Sequence, residues 1–220
     1  MGKLIVLDGL DGSGKSTQLD AVDAWLTSCG IAHRRISFPD YDQPSSTLVQ
    51  QYLAGDFGGT PNAVNAYAAS SFYAVDRYAS FKQFWQAAYE NGELIVAARY
   101  VSSNAIHQMA KLPESEWDSY LDWLSDYEYR LLGLPVPDCV FFLDMPPEVS
   151  QKLMTGRYEG DESKKDIHER DRVYLQTCRR SALYAAAHDG WYVVSCAKGD
   201  DPRPIADITA ELTAAIEALL

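Results

Sequence analysis

Hydrophobic residues in this chain follow two alternating patterns. Short continuous apolar runs are separated by longer segments in which apolar residues recur every three or four positions. Continuous runs are typical of strands that are buried on both faces, and the wider spacing is typical of amphipathic helices. The runs predict strands at Lys3–Asp8, Leu94–Ala98, Cys139–Leu143 and Tyr192–Ser195, and the more polar segment His33–Phe38, which follows a glycine helix stop, is predicted as a fifth.

The segments between these runs predict helices that cover a parallel sheet. Apolar spacing, with Gly and Pro at the boundaries, indicates helices at about 15–29, 48–53, 62–90, 113–133, 166–187 and 205–220. Another helix is expected after Tyr100 and through 107–109, and a further one starts at 146–147. Alternating strands and helices predict an α/β fold of three layers, in which a five-stranded parallel sheet carries helices on both faces. We expect the 220 residues to form a single domain.

The first predicted strand continues directly into a glycine-rich sequence that is typical of phosphate binding. Residues 9–17, GLDGSGKST, fit G-x-x-x-x-G-K-[ST] between a strand and a helix, which favours a P-loop NTPase fold over a chance glycine-rich turn. Glycines let the backbone turn tightly and direct several N–H groups at an anion. The candidate ATP-binding residues are Gly9, Gly12, Ser13, Gly14, Lys15, Ser16 and Thr17.

Two side chains of this loop have the chemistry of a nucleotide donor site. Lys15 supplies a full positive charge for the β- and γ-phosphates of ATP, and the hydroxyl of Ser16 suits Mg²⁺. ATP and Mg²⁺ are therefore the expected donor and cofactor. A phosphate loop alone does not distinguish a small-molecule kinase from a GTPase or a motor protein, because a kinase also needs a second anion site and a lid.

Candidates for the second anion site lie near the carboxyl ends of the predicted strands, which meet at one edge of a parallel sheet. Phe38-Pro39-Asp40-Tyr41 follows the second strand, and Arg99 follows the third. With Arg77 of the long aromatic helix, Arg99 could hold a phosphate monoester through paired guanidinium N–H groups. The alternatives are a surface ion pair for either arginine.

A polar segment at about 155–166 has the composition of a lid. It contains Arg157, Lys164 and Lys165, which closure could bring onto the transferring phosphoryl group while excluding water. From spacing alone, a solvated charged loop is the more ordinary interpretation.

Composition limits the classes of partner. The chain is 47% hydrophobic and has a formal net charge of −12, which argues against nucleic-acid or membrane binding because both favour basic surfaces. No apolar run approaches the length of about 20 residues that a bilayer requires. The four cysteines share no metal-ligand spacing, and in a chain of this length without a secretory segment we expect them to be reduced thiols and the location to be cytoplasmic.

Several motifs in this order resemble the thymidylate kinase family. They are GLDGSGKST, FPDY, Tyr73 with Asp76-Arg77, RYVSSNAIHQ, and a polar flap that ends in DIHERD. The resemblance covers nearly the whole chain. It implies a P-loop kinase that transfers the γ-phosphoryl group of ATP to dTMP, and a homodimer that packs through helices on one face of the sheet.

The resemblance also implies roles at the phosphate end of the acceptor site. Asp11 would contact the 3′-hydroxyl group of the sugar, and Phe38 and Tyr41 would line the deoxyribose and the phosphate. Arg99 would hold the acceptor phosphate. Because Gly12 follows the loop aspartate, this chain resembles the members whose catalytic arginine lies in the lid, here Arg157.

At the base end, the resemblance implies a different set of contacts. Tyr73 would occupy the place where the family stacks a phenylalanine on thymine, and Arg77 would hydrogen-bond the base. Asn104 would face the base, and His107 would stand where an aromatic residue excludes a 2′-hydroxyl group. On the sequence alone, Tyr73 is as well explained as a core residue as by stacking on a base, and His107 is also explained as an ordinary helix histidine.

Three positions depart from the family pattern. Asp40 replaces a common arginine, His107 replaces a tyrosine, and Ala98 replaces the aspartate that usually precedes Arg99. A methyl group cannot hold a metal-bound water, so Ala98 raises the alternative of a nucleotide-binding protein with weak turnover. A second alternative is a deoxynucleoside kinase that takes thymidine as the acceptor.

Overall fold

A five-stranded, fully parallel sheet forms the centre of the protein. In the computed structural model, which describes residues 1–151 and 172–220, the strands lie in the order β2-β3-β1-β4-β5. Their bounds are β1 Leu4–Asp8, β2 His33–Ser37, β3 Leu94–Ala98, β4 Cys139–Asp144 and β5 Tyr192–Ser195. The predicted strands and the parallel α/β fold are confirmed, and no strand end differs from its prediction by more than one residue.

Helices cover both faces of this sheet. They are α1 Lys15–Ser28, α2 Thr47–Ala54, α3 Ala66–Ser80, α4 Gln86–Glu90, α5 Ser102–His107, α6 Trp117–Ser125, α7 Arg172–Asp189 and α8 Ile205–Leu219. A π-helical segment, Phe81–Trp85, joins α3 to α4, and another, Asp126–Leu131, continues α6. A further helix begins at residue 147 and is described as far as residue 151. A short antiparallel hairpin, β6 Ala197–Lys198 and β7 Asp201–Pro202, follows β5.

The long aromatic helix begins later than the expected start at residue 62. Residues Pro61–Ala63 form a 3₁₀ turn, and the side chain of Asn65 then accepts a hydrogen bond of 2.9 Å from the backbone N–H of Ala68. This bond satisfies one of the backbone donors that a helix leaves unpaired at its N-terminus, so the helix starts at Ala66.

Alternating residues of β1 build the two halves of the core. Ile5 and Leu7 face α1 and α8, where they pack with residues such as Leu212. Leu4 and Val6 face the opposite layer, which contains Trp85 and other aromatic side chains of the segment after β2. All five residues of β1 are buried, as expected for a central strand that is covered on both sides. Within the described ranges, no helix is both long and apolar enough to cross a membrane.

Candidate active site

The phosphate loop connects β1 to α1 and wraps around the amino group of Lys15. Lys15 Nζ donates hydrogen bonds to the carbonyl oxygens of Gly9, at 2.8 Å, and of Leu10, at 2.7 Å. A side chain at Gly9 would be excluded, because a Cβ atom there would lie 2.6 Å from Ser13 Oγ and 2.9 Å from the carbonyl oxygen of Leu143. Gly14, with a φ of +88°, turns the chain into α1 through a conformation that favours glycine.

A cleft of about 800 Å³ opens at the carboxyl edge of the sheet, beside this loop. Most of the residues that the sequence indicated for the site line this one cleft. They are Asp11, Gly12, Ser13, Gly14, Lys15, Ser16, Thr17, Phe38, Tyr41, Tyr73, Arg77, Arg99, Asn104 and His107. Gly9 is buried against Leu143 instead. Arg157 and the predicted lid lie outside the described residues.

Arg99 adopts a rare backbone conformation at the end of β3. Its φ is +63°, a region that a bulky residue occupies only when the surrounding structure enforces it, and such residues cluster at functional sites. Its guanidinium forms an ion pair with Asp11 and lies 3.8 Å from the carboxylate of Asp8. Burial acts to lower the pKa of Arg99, but Asp11 and Asp8 outweigh it, so the pKa is raised and the group stays cationic.

His107 lies beside this arginine. Arg99 Nη1 and His107 Nε2 are 3.2 Å apart. A guanidinium can only donate hydrogen bonds, so this contact requires Nε2 to act as the acceptor and His107 to be neutral. The two side chains thus form one wall of the cleft, with the cation at the phosphate-loop end.

Arg77 is buried and uses its paired N–H groups on another partner. Arg77 Nε and Nη2 donate to the two oxygens of Glu128 at 2.7 and 2.6 Å, and Nη1 donates to the carbonyl oxygen of Tyr100 at 3.3 Å. Burial acts to lower the pKa of Arg77, and the Glu128 carboxylate raises it by more. The paired nitrogens that a bidentate contact with a phosphate would need therefore face a carboxylate, which leaves Arg99 as the better-placed candidate for the acceptor phosphate.

Glu128 also joins Arg77 to Asn104. The side-chain amide of Asn104 donates to Glu128 Oε1 at 2.9 Å and to the carbonyl oxygen of Ser70 at 3.3 Å. These bonds fix the orientation of the Asn104 amide within the cleft wall. The nitrogen faces the protein, so the amide oxygen is the atom that is left for other contacts.

The loop after β2 is held by a carboxylate from α3. Asp76 accepts a hydrogen bond of 2.9 Å from the backbone N–H of Asp40 and one of 2.6 Å from the hydroxyl of Ser45. This contact positions Phe38 and Tyr41 on the same cleft as the phosphate loop. Burial and the neighbouring Asp76 raise the pKa of the Asp40 side chain.

Neither of the two described aspartates near Ala98 is free to act as a simple substitute for a carboxylate there. Asp8 is fully buried and accepts hydrogen bonds from the hydroxyls of Ser102, at 2.6 Å, and Ser103, at 2.8 and 3.0 Å. Asp11 is paired with Arg99. The Ala98 methyl group packs in the apolar cluster that contains Leu7.

The cleft has further lining residues that the sequence pattern did not single out. On the side of α1 and β7 they are Gln18, Met145, Pro202, Arg203, Ile205 and Ile208, and near Asn104 they include Ser103 and Gln108. Arg203 is held by the carbonyl oxygen of Ser195 and by Glu211, at 2.5 and 2.8 Å. Arg203 follows the hairpin of β6 and β7, and its bond to Ser195 brings it to the carboxyl end of β5 only in the folded chain, so the rule that sites form at strand ends did not indicate it from the sequence.

Comparisons with known proteins point to one family. The sequence profile of thymidylate kinase matches residues 7–201. A thymidylate kinase of Mycobacterium tuberculosis is 30% identical over 191 residues, which are 86% of this chain and 87% of that protein. A thymidylate kinase of Caenorhabditis elegans is 31% identical over 159 residues, covering 68% of this chain and 66% of its own.

The chain belongs to the thymidylate kinase family.

A solved thymidylate kinase of Candida albicans has the same fold. Its TM-score is 0.70 at 23% identity, and the match covers 99% of this chain and 92% of that one. Members of the thymidylate kinase family are nucleoside monophosphate kinases, and the family activity is ATP-dependent phosphorylation of dTMP to dTDP. The phosphate loop and the second cation at Arg99, on one cleft, match that activity.

The donor set suits a magnesium ion that arrives with a nucleotide. Ser16 at the start of α1 offers a hydroxyl at the cleft surface, next to Lys15. Among residues 1–151 and 172–220, no group of three or more His, Cys, Asp or Glu side chains is arranged to hold a metal ion. In kinases Mg²⁺ usually keeps several waters and binds through substrate phosphates with few protein ligands, so these residues fit it.

Proposed function

We propose that this cleft binds ATP and dTMP head to head and transfers the γ-phosphoryl group between them. The observation that carries the proposal is the common cleft: Lys15 of the phosphate loop and Arg99 after β3 line it together. Two cations at one sheet edge suit two anionic nucleotides whose phosphates meet. On a chain of net charge −12, this local pair is where an anionic substrate finds positive charge.

On the donor side, the backbone N–H groups of residues 9–17 hold the ATP phosphates. Lys15 moves its Nζ from the carbonyl oxygens of Gly9 and Leu10 onto the β- and γ-phosphates, and Ser16 holds the accompanying Mg²⁺. When bound, that ion supplies positive charge that neutralises the phosphates during transfer. The lining residues near Arg203 leave room for the remainder of the donor nucleotide.

On the acceptor side, Arg99 holds the dTMP phosphate. Asp11 exchanges its ion pair with Arg99 for a contact with the 3′-hydroxyl group, while Phe38 and Tyr41 line the sugar and the phosphate. Releasing Asp11 frees Arg99 N–H groups, so binding of the sugar and of the phosphate are coupled through one residue pair. Their shared position on the cleft supports this assignment.

The base lies between Tyr73 and the α5 wall. Tyr73 stacks on thymine, Asn104 and the buried Arg77 read the base edge, and His107 occupies the space that a 2′-hydroxyl group would need. The network of Arg77, Glu128 and Asn104 supports this assignment because it fixes the polar groups in place before the base arrives.

Positioning and charge neutralisation provide most of the catalysis. The acceptor phosphate oxygen is already ionised at neutral pH, so no dedicated base is required for it to attack the γ-phosphorus in line. Lys15 and Arg99 hold the reacting groups, and Arg157 adds positive charge to the transferring phosphoryl group. This role of Arg157 is assigned from the family resemblance alone, since the residue lies outside the described residues.

A substrate panel tests this function and separates it from its two rivals. We expect dTDP from ATP with dTMP, at a higher kcat/KM than for dUMP, dCMP or thymidine. A preference for thymidine would instead identify a deoxynucleoside kinase. Tight calorimetric binding of dTMP and ATP with negligible transfer would identify the weakly active nucleotide-binding protein that Ala98 suggests.

We also propose a homodimer that packs through helices on one sheet face. Val75 and Tyr78 are large apolar residues that are 50% and 40% exposed, and they lie three positions apart on α3, so they form one stripe. Light scattering at micromolar concentration is expected to give twice the 24.5 kDa chain mass. A mass of one chain would contradict the proposal.

A cytoplasmic location is part of the same proposal. It is supported by the four cysteines, which are free thiols in the structure, because such thiols are typical of a reducing compartment. Cell fractionation with an antibody against the chain is expected to place it with soluble cytoplasmic enzymes, and recovery in a membrane or secreted fraction would contradict it.

A further inference from the structure

Lys111 connects the two walls that enclose the base end of the cleft. It ends the 3₁₀ turn Met109–Lys111, which continues from α5. Its Nζ donates to the hydroxyl of Tyr52 in α2 at 2.8 Å and to the carbonyl oxygen of Val64 at 3.0 Å. The same ammonium group lies 4.8 Å from the centre of the Tyr52 ring. One side chain thus ties the α5 side to both α2 and the segment that leads into α3.

Tyr52 connects Lys111 to the cleft through its contact with Tyr73. Its ring is buried and meets the ring of Tyr73 edge-on, with centroids 6.5 Å apart and an interplanar angle of 89°. Its hydroxyl also donates to the carbonyl oxygen of Pro61 at 3.2 Å, so the ring is fixed at its far end. Tyr73 lines the cleft, whereas Tyr52 does not, and Tyr52 therefore acts as a backing for Tyr73.

The surroundings of Lys111 are unusual for a lysine. Both oxygens that accept hydrogen bonds from Lys111 Nζ are neutral. The titratable groups close to its ammonium group include Tyr52 of α2 and Cys178 of α7. Tyr174 of α7 in turn interacts with Tyr52 and with Cys178. Burial lowers the pKa of Lys111 to about 7, which means that holding the charge there costs free energy.

We propose that Lys111 is a positioning residue for the acceptor base, which sets the distance between Tyr73 on one wall and Asn104 and His107 on the other through Tyr52. This inference rests on the proposed function, because it takes the space between those walls as the place of the thymine ring. The gap has to match one planar ring for Tyr73 to stack on it, and the tie from Lys111 fixes that gap before binding. Lys111 itself touches neither substrate.

The test compares steady-state constants of the variant Lys111→Met with those of the wild type. Methionine keeps the length and apolar stem and removes the donors and the charge. We expect KM for dTMP to rise by about 5- to 10-fold, as for the loss of one positioning contact, while KM for ATP changes by less than about 2-fold. A merely structural role would instead reduce the amount of active enzyme and leave both KM values unchanged.

Two further variants make the result decisive. Lys82→Met removes a lysine from the exposed surface of the π-helical segment after α3 and is expected to leave both KM values unchanged. Tyr52→Phe keeps the ring and deletes only the hydroxyl that receives Lys111, so it should raise KM for dTMP in the same direction. It also replaces Lys111→Met as the deciding variant if the latter does not fold.

An unchanged KM for dTMP in Tyr52→Phe and Lys111→Met, or an equal rise in KM for ATP, would overturn the proposal. The proposed function is judged separately by the wild type. If the wild type forms no dTDP, that function fails. If the wild type forms dTDP but the variants do not raise KM for dTMP selectively over KM for ATP, only the role of Lys111 is overturned.

Discussion

Arg99 at the end of β3 forms an ion pair with Asp11 in the phosphate loop, so the two nucleotide sites share one electrostatic contact. Asp11 Oδ1 also lies 3.8 Å from Lys15 Nζ. One carboxylate thus lies between the cation of the donor side and the cation of the acceptor side. A substrate phosphate that binds either cation competes with Asp11, which provides a direct physical link between the two halves of the cleft.

Replacing Arg99 by methionine is expected to remove the hold on the acceptor phosphate. We expect kcat/KM for dTMP to fall by about 10²- to 10³-fold, in the range for losing one charged group that stabilises a transition state. Arg99→Lys should recover only part of this loss, because an ammonium group cannot make the paired contact of a guanidinium. Arg34→Met, at an exposed ion pair with Glu93, serves as the control and should be unaffected. A normal kcat/KM for Arg99→Met would contradict the assignment.

The buried pair of Arg77 and Glu128 makes a prediction about stability. Glu128→Gln leaves Arg77 as a buried charge without its counter-ion, so the free energy of unfolding should fall by about 3–5 kcal/mol. Urea denaturation measures this change. The exposed pair of Asp126 and Arg130 provides the control, since Asp126→Asn should change the free energy of unfolding far less than Glu128→Gln does. Equal effects of the two substitutions would show that burial does not determine the strength of the pair.

Ala98 allows a test of the missing family carboxylate. Ala98→Asp is expected to raise kcat, because a carboxylate beside Arg99 can hold a metal-bound water near the acceptor phosphate. Ala98→Asn has nearly the same shape without the charge and separates charge from packing. Equal turnover of the wild type and Ala98→Asp would refute the idea that a carboxylate at this position matters.

The lowered pKa of Lys111 predicts a particular dependence of stability on pH. An unfolded lysine keeps its proton up to its usual value of 10.5, whereas the folded group loses it near pH 7. Between these values the unfolded state binds more protons, so the free energy of unfolding rises with pH. Relative to Lys111→Met, the wild type should gain about 2 kcal/mol between pH 7 and pH 9. A difference that stays constant over this range would show that the pKa is not lowered.

Much of the fold follows from local patterns in the sequence. Continuous apolar runs indicated β1, β3 and β4, because a strand that is covered on both faces has no polar side, and the motif of residues 9–17 marked the start of α1. The two edge strands, β2 and β5, are largely exposed, and β2 in particular is not an apolar run. The start of α3 was wrong by several residues, since Asn65 acts as a cap whereas Pro61–Ala63 form a separate turn. Caps of this kind depend on single side chains, which the hydrophobic pattern does not report.

Contacts between distant segments were not accessible from the sequence in the same way. The partner of Arg77 is Glu128, fifty-one positions away in a π-helical segment, and no spacing rule connects them. The hydroxyls that donate to Asp8 come from the start of α5. They reach Asp8 because β1 and β3 are neighbours in the sheet, and the sequence alone does not give this pairing. The rule that sites form at strand carboxyl ends correctly indicated Arg99 on the cleft that holds the phosphate loop.

If the donor and the acceptor occupy one cleft with their phosphates facing each other, one molecule can fill both sites. A linked inhibitor, in which adenosine and thymidine are joined through a chain of phosphates, measures this directly in steady-state kinetics. We expect inhibition that is competitive with ATP and also competitive with dTMP. Inhibition that is competitive with only one of the two substrates would contradict it, because the two sites would then not meet.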